Sequence, residues 1–143
     1  MKINDVIHAK AQQAVVTISP DATVRELVAL LAEHNVGALV VSEDGERVSG
    51  IVSERDVVRR LHAEEAVLDT PVSQIMTAEV RTCTGGDGVT DLMQTMTEHR
   101  IRHVPVVADG RLTGIISIGD VVKSRIGELE FERDQLDHYV HQT

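Results

Sequence analysis

Apolar residues recur along the chain in two alternating rhythms. Val24, Leu27, Val28 and Leu31 keep the i, i+3, i+4, i+7 spacing of a helix with one buried stripe, and Val89, Leu92, Met93 and Met96 repeat it. Thr23-Val24-Arg25-Glu26 adds a capping box at the first of these helices. Short β-branched runs precede both stripes, Val15-Val16-Thr17-Ile18 and Val80-Arg81-Thr82-Cys83, and read as strands. After each stripe comes an apolar strand, Ala38–Val41 or Val104–Val107, and a tight turn at Asp44-Gly45 or Asp109-Gly110. A second strand, Val48–Val52 or Leu112–Ile116, then leads into a helix that begins near Ser53 or Ser117. The order is β-α-β-β-α, twice.

The second pass is a copy of the first. Setting Val24 against Val89 and passing over Glu46 aligns residues 24–58 with 89–122. Of 34 aligned pairs 14 are identical, which chance does not produce. Each unit of about 60 residues is too small to bury a good core alone, so the copies are expected to pack together. The predicted fold is α+β, two β-α-β-β-α repeats packed through their sheets plus a C-terminal helix. The first repeat with an N-terminal segment spans 1–64, a connector with Pro71 spans 65–78, the second repeat spans 79–126, and an amphipathic helix spans 127–143.

Composition narrows the function. Fourteen Lys and Arg against 23 Asp and Glu give a formal charge of −9, the wrong sign for neutralising nucleic-acid phosphates. A 42% hydrophobic, 26% charged mixture is that of a globular protein. The aromatic residues Phe131 and Tyr139 are too few for a stacking platform. Cys83 is the single cysteine, so neither an intrachain disulfide nor a thiolate metal cluster is available. The opening Met1-Lys2-Ile3-Asn4-Asp5 is not an apolar signal and no run is long enough for a bilayer, so a cytoplasmic protein without membrane contact is expected.

The candidate chemistry lies in Gly-x-x-Ser-x-x-Asp, present as Gly50-Ile51-Val52-Ser53-Glu54-Arg55-Asp56 and again as Gly114-Ile115-Ile116-Ser117-Ile118-Gly119-Asp120. Ser-x-x-Asp is itself a capping box. Three features point beyond capping. A glycine within a strand implies that something approaches its backbone closely, a helix start offers free N–H groups to a phosphate, and an Asp there can accept two ribose hydroxyls.

With these motifs, from about Val6 to Ile126, the chain resembles a tandem cystathionine-beta-synthase (CBS) domain pair, or Bateman module, of the small stand-alone bacterial type. Met96-Thr97-Glu98-His99-Arg100-Ile101-Arg102-His103-Val104-Pro105-Val106 is also typical of that type. The resemblance implies two clefts between the repeats that bind adenine compounds such as AMP, ADP, ATP, NAD or S-adenosylmethionine. It implies that Asp56 and Asp120 hold ribose hydroxyls and that Ser53 and Ser117 contact ribose or the first phosphate. Gly37-Ala38 and Arg102-His103 match positions lining the clefts, the first pair leaving space and the second supplying positive charge. Arg55 offers another cation that its counterpart Gly119 cannot. Lys10 and Met76-Thr77 match stretches at the cleft edges, and adenine is expected between aliphatic side chains such as Ile51, Ile101, Val36 and Ile115. The implied function is a non-catalytic sensor of energy or redox state, with no required cofactor and an unidentified protein partner. A ligand-free structural or stress-related module and an S-adenosylmethionine binder are the alternatives.

The remaining features have plainer readings. His34 and His99 end the stripe helices, where an imidazole complements the dipole. His8, His62, His138 and His141 lack the spacing of a metal site. His103 stands apart by position, suited to phosphate contact or pH sensitivity. Gly85-Gly86-Asp87-Gly88 is a loop before a helix. In the tail, Val122, Ile126, Leu129, Leu136 and Val140 form a seam with Arg133 in the missing place. That seam either lies against its own domain or pairs across a homodimer.

Overall fold

The computed structural model of the chain describes residues 1–10 and 15–141. Helix α1 (Ile3–Ala9) is followed by β1 (Thr17–Ile18), α2 (Val24–His34), β2 (Ala38–Val41), β3 (Gly50–Ser53) and α3 (Glu54–Ala63). Two 3-10 turns, Glu65–Asp69 and Val72–Gln74, lead to α4 (Val89–His99), β4 (His103–Ala108), β5 (Arg111–Ser117) and α5 (Ile118–Val140). The architecture is mixed α+β, two related units and a C-terminal helix. In the first unit β1 runs parallel to β2, and β2 pairs antiparallel with β3, Ala38 opposite Ser53. In the second, β4 pairs antiparallel with β5, His103 opposite Ser117.

Local chemistry explains most of these boundaries. Thr23 Oγ accepts the Glu26 N–H while Glu26 accepts the Thr23 N–H, so α2 starts on the expected capping box. Asp109 and Gly110 both have positive φ, 52° and 77°, the pair of left-handed residues that a two-residue hairpin turn requires. Asp44-Gly45 differs from its predicted role. It lies within a longer loop over residues 42–49, where Asp44 Oδ1 accepts the N–H groups of Glu46 and Arg47. Residues 80–83 also depart from expectation. Cys83 makes one parallel bridge to Val106, and the chain then turns through Thr84–Asp87, whose Asp87 carboxylate accepts the Thr84 N–H.

Each unit has its own core, and each core is closed by a segment that precedes the other unit in sequence. Val24, Leu27, Leu39, Val41, Val52 and Val57 form the first, with Val67, Val72 and Ile75 from the connector. Val89, Leu92, Met96, Val104, Val106, Ile116 and Val121 form the second, with Ile3 and Val6 from α1. The N-terminal helix thus crosses over: it leads into the first repeat but packs into the second. The two closing segments bind alike. Ile3 N–H donates to Asp87 O, as Val72 N–H does to Ala22 O.

Helix α5 is continuous from Ile118 to Val140 through Gly127, about 35 Å at 1.5 Å per residue. It therefore merges the second repeat's last helix with the predicted tail helix; Gln142 and Thr143 lie outside the described residues. Val121 is buried, but every residue from Leu129 to His141 is exposed. The seam does not lie against its own domain.

Candidate functional site

Both strand-to-helix corners carry the same short hydrogen-bond circuit. Ser53 N–H donates to Asp56 Oδ2 at 2.8 Å, and Asp56 N–H returns to Ser53 Oγ at 3.4 Å. Ser117 and Asp120 repeat it at 2.9 and 3.1 Å. Capping is therefore real in both copies, worth about 1 kcal/mol each. The circuit engages Oδ2 of each acid, leaving Oδ1 outside it and able to accept from a further donor.

Each corner opens into a cleft whose opposite wall comes from the other repeat. The Asp56 cleft, about 210 Å³, is lined by Ile51, Ser53, Glu54, Arg55, Asp56 and Arg59 of the first repeat and Thr77 beyond it. Arg100, Ile101, Arg102 and His103 of the second repeat face them. The Asp120 cleft, about 330 Å³, is lined by Ile115, Ser117 and Asp120 of the second repeat, with Lys10. Asn35, Val36 and Leu39 of the first repeat, with Val16, face them. Gly37, Ala38 and His103 border both clefts. They form one partition, in which Glu54 Oε1 and the His103 ring converge over Gly37, each 3.5 Å from where a Cβ would stand.

The clefts differ electrostatically. Lys10 Nζ lies 2.9 Å from both Asp120 Oδ2 and Ile115 O, holding a part-buried ion pair inside the second cleft. Burial pushes the Asp120 carboxyl up, but the Ser117 N–H and the Lys10 ammonium outweigh it and hold the acid below its ordinary value. Burial pushes the His103 imidazole below its ordinary value, a shift partly offset by the Asp120 and Glu54 carboxylates. No group of acids, histidines and cysteine able to hold a metal ion occurs among the described residues. Cys83 is buried, its thiol pushed up to about 12 by burial and by Asp87, which keeps it a protonated apolar filler.

Most of the residues singled out from sequence come together at these two places. Ser53, Arg55, Asp56, Ile51, Thr77, Arg102 and His103 meet in the first cleft, and Ser117, Asp120, Ile115 and Lys10 in the second. The expected aliphatic pairs also segregate, Ile51 with Ile101 and Val36 with Ile115. Two residues do not line either cleft. Met76 turns onto β3, where its sulfur would stand 2.6 Å from a Cβ on Gly50, and Gly119 has no side chain to extend from the first turn of α5. The strand glycines are corrected with it: Gly50 admits Met76 and the Thr77 carbonyl, and Gly114 admits Ile7, so protein atoms rather than a ligand account for both. Several cleft residues escaped the sequence reading, Glu54, Arg59 and Arg100 in the first cleft and Val16, Asn35 and Leu39 in the second. Arg59 follows Arg55 by one helical turn, which could have marked it.

Comparison with known proteins places these features among relatives. The CBS domain family matches residues 4–63 and 72–127. The mitochondrial CBS domain-containing protein CBSX3 of Arabidopsis thaliana is 38% identical, over 96% of this chain and 71% of its own. The crystal structure of the CBS-domain containing protein ATU1752 from Agrobacterium tumefaciens is 43% identical, with a TM-score of 0.83 over 87% of this chain and 99% of that one. The CBS domain pair of protein MJ0100, solved in complex with 5-methylthioadenosine and S-adenosyl-L-methionine, shares the fold at 24% identity, with a TM-score of 0.78 over 90% of this chain and 98% of that one.

Proposed function

This chain belongs to the CBS-domain family and carries the domain twice in tandem, and from that premise we propose that it is a non-catalytic regulatory module binding adenine nucleotides (AMP, ADP, ATP or NAD) in its two clefts. The observation that carries the reading is the geometry of the two acids. Asp56 and Asp120 each stand at a capped helix start with one carboxylate oxygen outside the cap, in a cleft walled by the other repeat. Aliphatic pairs for a base and helix N–H groups for a phosphate adjoin them. Occupancy of a cleft acts on the relative tilt of the repeats through differential affinity for the two arrangements. The output of that change in tilt passes to a protein partner.

Among the described residues no helix is long and apolar enough to cross a membrane, and a cytoplasmic setting supplies the nucleotides that this reading needs. A second copy of the chain is the partner that we assign to the exposed seam of α5. Val122, Ile126, Leu129, Leu136 and Val140 keep a heptad-like spacing, and Arg133 sits in that seam among Glu130, Glu132, Asp134 and Asp137, placed to meet the acids of a facing helix. S-adenosylmethionine or a related thioether is the second reading for the ligand, favoured by the compounds bound to the MJ0100 pair.

Calorimetric titration of the wild type, Asp56→Ala and Asp120→Ala with AMP, ATP and NAD tests the proposal. Each substitution is expected to weaken one site by about tenfold or more, the worth of a charge-assisted hydrogen bond. Wild-type affinity at both sites in both variants would overturn it.

A further inference from the structure

The two clefts are not chemically alike, and we infer that the Asp56 cleft takes the polyphosphate of a nucleoside di- or triphosphate, while the Asp120 cleft takes an adenosine compound lacking one. This rests on the adenine-nucleotide reading above and assigns a ligand class to each half of it.

Charge carries the first part of the argument. Arg55, Arg59, Arg100 and Arg102 line the Asp56 cleft against the carboxylates of Glu54 and Asp56, a formal surplus of 4 − 2 = +2. Lys10 stands against Asp120 in the other cleft, a balance of 1 − 1 = 0. His103 borders both and drops out of the comparison. In a chain of net charge −9 such a surplus is local to this cleft. Among the described residues none of the four guanidiniums takes part in an ion pair or a side-chain hydrogen bond. Their forked donors remain available for phosphate oxygens. Arg55 and Arg59 also border a shallow groove with Glu54 and Val58, which continues the cationic track along α3.

Backbone conformation carries the second part independently. Arg100 caps α4 in the left-handed region at φ 54°, and Asn35 caps α2 in the same conformation at φ 52°. Asn accepts that conformation readily, whereas Arg does so at a cost. The second copy thus holds a guanidinium at the Asp56 cleft in a conformation that Asn would fill more easily. The Asp120 cleft has Asn35 and Gly37 where its neighbour has Arg100 and Arg102.

Titration calorimetry of the full chain with adenosine and ATP, and with inorganic tripolyphosphate alone, tests this. Arg100→Asn puts a residue suited to the left-handed cap in place, so the fold is retained, and Arg59→Gln gives a second variant on regular helix. In each, the ratio of ATP to adenosine affinity is expected to fall about tenfold, while Asn35→Arg raises it. A wild-type ratio in both arginine variants overturns the inference, and adenosine binding in the same experiment leaves the adenine reading standing. Tripolyphosphate binding that weakens in Arg100→Asn, without adenosine binding, overturns the adenine reading and keeps the polyphosphate site. Binding of neither overturns both.

Discussion

Gly50 and Gly114 hold equivalent places in the two repeats, yet different atoms stand over them. A Cβ on Gly50 would come within 2.9 Å of the Thr77 carbonyl oxygen, which is backbone, as well as 2.6 Å of Met76 Sδ. A Cβ on Gly114 would meet the tip of Ile7 at 3.3 Å, and that tip can rotate. Thr77 exchanges both backbone hydrogen bonds with Ile51, so it cannot withdraw without losing them. Gly50→Ala is therefore expected to cost about 1–3 kcal/mol and Gly114→Ala less than about 1 kcal/mol, read from urea unfolding midpoints. Equal costs would contradict this account. The same residues show what a sequence reveals at this scale. Ser53, Asp56, Ser117 and Asp120 were legible because capping and cleft access both follow from position at a helix start. The occupant of the space over a glycine was not, since it comes from residues far along the chain. Arg100 escaped for a related reason, because a helix C-cap discloses its left-handed backbone only when Asn or Gly stands there.

Among the elements, α5 behaves least like its counterpart. Helix α3 ends at Ala63, while α5 runs on to Val140 and leaves its last three turns exposed. Those turns bury no core residue, so removing them should scarcely affect folding. A chain ending at Ile126 is expected to keep its unfolding free energy within about 1 kcal/mol of wild type, yet to run as a monomer in light scattering while the full chain, on the proposed pairing through α5, runs as a dimer. A truncated chain that remains dimeric would remove α5 from the interface. The stripe helices α2 and α4 were legible from spacing alone, and both end on the expected His34 and His99. Val28, though on the stripe, stays 40% exposed at its edge. Helix α1 was not foreseen. Seven residues carry too few apolar positions for periodicity to register, and the surface they cover lies in the other repeat.

At the scale of the whole molecule the two cores are interlocked. Ile3, which precedes the first repeat, is fully buried in the second core, and Val72, which precedes the second, is fully buried in the first. Neither repeat owns a complete core. Ile3→Ala is expected to cost about 2–5 kcal/mol, with amide exchange accelerated first in α4, β4 and β5. Acceleration confined to α2 and β2 would contradict the crossover. A cue for this exchange exists in the chain, since Ile3, Val6 and Ile7 recur in spacing as Val72, Ile75 and Met76. It was illegible as packing because the alignment that reveals the repeat begins later, at Val24.

The partition of Gly37, Ala38 and His103 has a thermodynamic consequence. On the two-cleft reading proposed above, occupants on its two faces share a boundary, and whatever factor one imposes on its neighbour's dissociation constant is imposed in return. Linkage of this kind would make the molecule's state a function of two metabolite concentrations at once, so that a change in either would be read against the background set by the other.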